Sequence, residues 1–151
     1  MHFKPIKDFL IYIEECHVAL ADLYLRLSQE VADEKVKLLL DFMRNKEKLS
    51  YFHLHEYVQQ APISLLETWL DNIFDQSFPM KCHLMQVQPD LSIDDVVALA
   101  MKLDMQLIEL MQTAAYHSAT VEGELALESL SNQEEETLHQ VVTASHEFDF
   151  M

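Results

Sequence analysis

The chain has 151 residues, half of them apolar, with one Gly and four Pro; this balance suits long helices packed into one core and argues against sandwiches, barrels and glycine-rich phosphate loops. Ten Lys/Arg stand against 26 Asp/Glu, a net charge of -16, which argues against nucleic acid or an anionic membrane surface as partner, since both require clustered cations. No stretch approaches the length of a membrane span, and residues 1–10 lack the basic segment, apolar run and cleavage site of a signal peptide, so a cytoplasmic location is expected.

Pro5, a favoured first-turn residue, predicts a first helix running to about Ala32. Its apolar stripe is Ile6, Phe9/Leu10, Ile13, Cys16, Leu20, Leu23/Tyr24 and Leu27, at helical rather than strand spacing, and His17 lies on it. Asp33 is placed to cap a second helix reaching Gln60, with Val36, Leu39/Leu40, Met43, Glu47, Ser50, Leu54 and Tyr57/Val58 facing inward. Pro62 ends it. Residues 61–91 form one long connection, in which Leu65, Leu66, Trp69, Ile73 and Phe74 predict a short helix covering the bundle, with Trp69 as its packing anchor. Ser92, followed by Asp94 and Asp95, starts a third helix that buries Val96/Val97, Ala100, Leu103/Asp104, Leu107 and Met111. Thr120 caps a fourth, with Leu127, Leu130, Glu134, Thr137/Leu138, Val141 and Phe148 inward. The expectation is one all-α domain over residues 1–151: hairpin 1 at about 5–60, the crossover at 61–91 and hairpin 2 at about 92–148.

The two hairpins repeat each other at an offset of 87 residues, which pairs Ile6 with Ile93, Leu20 with Leu107, Leu40 with Leu127, Asp33 with Thr120, His17 with Asp104 and Glu47 with Glu134. Identity is low; the shared phase carries the argument. His17 and Glu47 are about equally far from the turn at Ala32/Asp33, as are Asp104 and Glu134 from the turn at Ala119/Thr120. At about 1.5 Å rise per residue, each pair sits at one level of an antiparallel hairpin. Four polar side chains are therefore expected to converge at mid-height of a four-helix bundle, where such bundles build metal sites. Three carboxylates and an imidazole in one interior must share protons, form hydrogen bonds or hold a cation. Tyr24 and Tyr51 are near enough to donate to them.

This arrangement resembles the ferritin-like superfamily, particularly its small bacterial rubrerythrin-like members. The resemblance covers most of the chain: two helical hairpins, a long crossover and a repeated polar plan. It implies a ferritin-like four-helix bundle whose halves each supply a carboxylate and a Glu-x-x-His to two iron or manganese ions. On that pattern Glu47 and Glu134 match the two motif glutamates, while His17 and Asp104 occupy the other carboxylate positions. Ser50 and Thr137 stand where the motif has His, and His17 replaces a carboxylate. The site is thus a degenerate form of a di-metal centre, with His17, Glu47, Asp104 and Glu134 as metal candidates and Tyr24, Ser50, Tyr51 and Thr137 around them.

Other chemistry-bearing residues have blander readings. Glu136 and His139 do spell Glu-x-x-His, but their helical neighbours Asn132, Thr143 and His146 form a polar stripe facing water. Glu109 shares a face with Lys102, Gln112 and Thr113, and His53, His55, Glu56 and His83 lack matched spacing; all are expected at the surface. Cys16 and His17 point about 100° apart on a helix and make a poor nucleophile–base pair. Cys16 and Cys82 are read as thiols of a reducing compartment, and Met43, Met101, Met105 and Met111 as core fillers. No catalytic residue is assigned.

Two functional readings follow. In one the chain is catalytically silent or weakly metal-binding and acts as a dimerising or partner-docking module. Residues 1–60 carry eight Lys/Arg against ten Asp/Glu, whereas residues 61–151 carry two against sixteen, so the near-neutral first hairpin is the place for such contact. In the other the chain is an iron or manganese metalloprotein of oxidative-stress or metal-handling type, using His17, Glu47, Asp104 and Glu134.

Overall fold

The structure is a computed structural model that describes residues 4–71, 74–86 and 88–150. Four long helices carry it: α1 (Ile6–Glu30), α2 (Glu34–Gln60), α5 (Ile93–Tyr116) and α6 (Val121–Asp149), with two short helices, α3 (Ile63–Leu66) and α4 (Phe78–Leu84), in the crossover between α2 and α5. The result is an all-α helical bundle of two antiparallel hairpins.

Local chemistry sets the helix ends. Asp33 Oδ1 accepts the backbone N–H of Lys35 at 2.8 Å and starts α2. Ser92 and Asp95 form a reciprocal capping box at the start of α5, and the Thr120 hydroxyl accepts from Gly123 N at 3.0 Å at the start of α6. Each cap satisfies donors that the first helical turn leaves unpaired. Leu39, Leu40 and Met43 on α2, Leu103 and Leu107 on α5, and Leu127 on α6 meet the α1 stripe of Phe9, Ile13, Leu20 and Leu23 in one core.

The crossover differs from its expected form. It contains two short helices instead of one, and a small antiparallel pairing of β1 (Lys4–Pro5) with β2 (Trp69–Leu70). Ile6 N donates to Thr68 O at 2.8 Å, Asp71 N to His117 O at 3.0 Å and Ala119 N to Trp69 O at 2.9 Å, so the segment ties the start of α1 to the α5–α6 turn. Trp69 is 53% exposed and is not the anchor; the alternation of a two-residue strand puts Leu70 inward instead. Ile73 lies outside the described residues. The Arg26 guanidinium donates to Cys82 O at 2.6 Å, covering the open carbonyls at the C-terminal end of α4 and fixing that helix against α1. Met101 and Met105 are exposed on α5, unlike the buried Met43 and Met111, because they fall on its outer face.

The sole glycine, Gly123, is buried in the first turn of α6, where a Cβ would strike Ser118 Oγ and the Ile6 side chain. The Ser118 hydroxyl is held by Thr120 O at 3.0 Å and has little freedom to yield. Gly123→Ala is expected to destabilise the fold by about 1–3 kcal/mol despite the better helix propensity of alanine. Urea denaturation of the two proteins measures this directly.

Candidate metal centre

His17 stands near the middle of α1, Glu47 of α2, Asp104 of α5 and Glu134 of α6, and all four are buried. The structure brings three of them into direct reach: His17, Glu47 and Glu134 each present a ligating atom within 4.8 Å of the others. His17 Nδ1 lies 2.6 Å from Glu47 Oε2, a short charge-assisted hydrogen bond, and Nε2 lies 3.5 Å from Glu134 Oε2. Asp104 is 4% exposed, and its Oδ1 has no hydrogen-bond partner among the described residues. The Ser131 hydroxyl, one turn before Glu134, is also buried without one.

Burial alone would lower the His17 pKa. The Glu134 charge, the Glu47 hydrogen bond and charge, and the Asp104 charge outweigh it and raise the imidazole to about 9. At neutral pH His17 is an imidazolium, with both ring nitrogens carrying protons toward carboxylates. Asp104 is pushed well above the ordinary carboxylate range by burial first, then by the Glu47 and Glu134 charges, against an opposing pull from His17. Burial also raises Glu134, to about 6, with His17 opposing and Glu47 adding to the rise. A single imidazolium cannot neutralise three carboxylates, so protons remain on the acids instead.

The surrounding residues divide between two sides of the imidazole. Ser50 and Thr137, at the positions of the motif histidines, line a cavity of about 160 Å³ with His17, Glu134, His53 and Tyr57. The Thr137 hydroxyl donates to Gln133 O on its own helix at 3.1 Å. On the other side, Tyr51 and Phe52 line a groove of about 220 Å³ that reaches His17 and Glu47. Tyr51 stacks on His55 and, among the described residues, makes no hydrogen bond to the carboxylates. Tyr24 is fully buried beside the cluster, and burial followed by the Asp104 and Glu47 charges keeps its phenol protonated.

The alternative motifs lie elsewhere. Glu136 and His139 are exposed, as are Glu109, His53 and His83. His55 is drawn to Glu14, at 3.2 Å, and this buried acid was not anticipated. Glu14 immediately follows the core residue Ile13, so its burial is hidden in the stripe; its level in hairpin 1 matches Tyr51, whose stacked partner His55 supplies the hydrogen bond one turn on. Cys16 and Cys82 are both buried free thiols, raised by burial to about 12 and about 11, and the Cys16 thiolate is inaccessible as a nucleophile at neutral pH.

The fold is ferritin-like. A protein from Thermotoga maritima, described as a ferritin-like diiron-carboxylate protein, has a crystal structure similar to this one over 97% of this chain and 98% of its own, with a TM-score of 0.61 and 15% identity. No protein-family model matches the chain and no curated relative matches it.

The raised pKa values fix the sign of the pH dependence of the metal-free protein. Glu134 stabilises the fold fully below its ordinary value and loses that contribution as pH rises through about 6; His17 does the same from its ordinary value through about 9. Both slopes run the same way. Stability is therefore expected to fall between pH 6.5 and 9, with a His17 component on the order of 3 kcal/mol. Thermal unfolding in chelator across this range, compared with His17→Gln, tests it: the excess fall is absent from the variant.

Proposed function

We propose that the chain is a ferritin-like protein that holds one divalent cation, iron or manganese, at the cluster of His17, Glu47, Asp104 and Glu134. The carrying observation is the buried cluster of His17, Glu47 and Glu134, whose ligating atoms lie within 4.8 Å of one another, together with a buried Asp104 Oδ1 that has no hydrogen-bond partner among the described residues. A buried acceptor without a donor costs free energy that a bound cation would recover. Carboxylate and imidazole donors suit manganese and iron, and a cation there would supply Lewis acidity and, for iron, electron transfer. Two cations fit poorly, because hydroxyls of Ser50 and Thr137 replace the motif imidazoles and Thr137 is already turned to its own backbone. Binding is expected to be weak, since it must displace the proton from His17.

The role fits a cytoplasmic, single-domain protein in metal handling. No helix of the described residues is long and apolar enough to cross a membrane. Equilibrium dialysis with Mn(II) or anaerobic Fe(II) should find one ion per chain, and none in the Glu47→Ala/Glu134→Ala double variant. A chain that retains no metal, with the variant equally folded or more stable, would leave a metal-free hydrogen-bond network as the correct reading.

A second feature supports self-association. Ile11, Val18 and Phe52 are exposed apolar residues on hairpin 1, and adjoining grooves join them through Tyr51. In a chain of net charge -16 whose excess acid lies beyond residue 60, hairpin 1 is the half with the smaller net charge, and Lys48 stands on this face with Glu14, Glu15 and Asp22. We propose a homodimer through it. Sedimentation equilibrium should return a dimer for the natural chain and a folded monomer for Val18→Glu/Phe52→Glu; a monomer in both cases discards the interface.

A further inference from the structure

The two nitrogens of His17 meet their carboxylates in different ways. The Nδ1–Glu47 distance is 2.6 Å and the Nε2–Glu134 distance is 3.5 Å. Two donors bound to one cation at about 2.1 Å each lie about 3.0–3.5 Å apart for octahedral to tetrahedral angles. The second distance falls in that range and is long for a hydrogen bond. The first would force an angle of about 75° at the cation for donors at about 2.1 Å, and is instead a normal charge-assisted hydrogen bond.

The open space agrees with this division. The cavity of about 160 Å³ is walled by His17 and Glu134, with Ser50 and Gln133 beside them, whereas Glu47 borders the separate groove at Tyr51 and Phe52. Only the Glu134 side of the ring combines ligand spacing with room. Among the described residues the Glu134 carboxylate has no closer partner than Nε2, whereas Glu47 has its Oε2 committed to Nδ1–H.

We infer that the centre is a mononuclear, asymmetric site in which the cation bonds to His17 Nε2 and Glu134, and that Glu47 stays outside the coordination shell as a positioning residue. Glu47 fixes the ring tautomer with the proton on Nδ1 and leaves Nε2 for the metal. The two motif glutamates, equivalent in the repeat, thereby take different tasks. This rests on the single-cation reading given above.

Titration with Mn(II), followed by the loss of the free-ion electron paramagnetic resonance signal, separates the two acids. Glu134→Gln is expected to lose more than about 100-fold in affinity, and Glu47→Gln, which keeps an acceptor for Nδ1–H, to lose about tenfold, the usual range for a group behind a ligand. Equal losses in the two variants overturn the inference and leave the single-cation reading intact. Absence of binding by the natural chain overturns both. Because either substitution can disturb folding, nitrogen-15 NMR of the natural chain loaded with diamagnetic Zn(II) provides the variant-free measurement: a metal-bound Nε2 with a protonated Nδ1 is expected, and a metal-bound Nδ1 refutes it.

Discussion

Taking several carboxyl groups out of water around a single imidazole is the constraint on which the rest of this structure depends. Each ion would cost several kcal/mol if left unpaired in the bundle interior, so the charge has to be suppressed or matched. The protein does both: His17 is held as an imidazolium chiefly by the Glu134 and Glu47 charges, and the rise at Asp104 keeps a proton on an acid that otherwise ionises. Leu10, Ile13, Leu54 and Met111, all core side chains, stand beside His17 and Glu134, and their apolar surroundings strengthen the electrostatic interactions there. The packing that buries these groups and the proton sharing that tolerates their burial are therefore one feature of the fold.

Much of the architecture was legible because helical periodicity and caps are local signals. The stripe of α1, the Asp33, Ser92 and Thr120 caps and the turn at Ala32/Asp33 are all written in consecutive residues, and the helices start and stop within a few positions of them. The level argument within each hairpin needed only the helical rise, and it correctly placed His17 beside Glu47. What failed was non-local. Pairing of Lys4–Pro5 with Trp69–Leu70 joins segments more than 60 positions apart and has no local pattern, so neither the strand nor the outward turn of Trp69 could be read from the crossover. Glu14 escaped notice for a related reason: its partner His55 lies on another helix, and an acid beside an apolar stripe reads as surface unless the partner is known.

The repeated plan explains position and not chemistry. An offset of 87 residues brings one polar side chain from each long helix to mid-height, but the first hairpin offers imidazole and carboxylate while the second offers two carboxylates. A proton donor with two nitrogens can serve two acids; the third, Asp104, is left without a hydrogen bond on one oxygen. Symmetry of scaffold and asymmetry of hydrogen bonding are compatible because helix phase is decided by many apolar contacts, whereas the identity of one inward residue hardly affects it. The likeness to the Thermotoga maritima structure, at 15% identity, is one of fold, and individual side chains decide what a site on a fold binds.

The hydroxyl positions show how far that decision has gone. An imidazole at residue 50 or 137 would reach into the interior with a nitrogen lone pair, whereas the Thr137 hydroxyl turns back to the Gln133 carbonyl within its own helix. That local bond satisfies the hydroxyl without any partner from across the bundle, so α6 loses no stability by lacking a metal at this point. The cavity beside Ser50, Thr137 and His17 is the volume that shorter side chains leave unfilled. The small hydroxyl side chains therefore leave a route from the rim at His53 and Tyr57 to the nitrogen that faces Glu134.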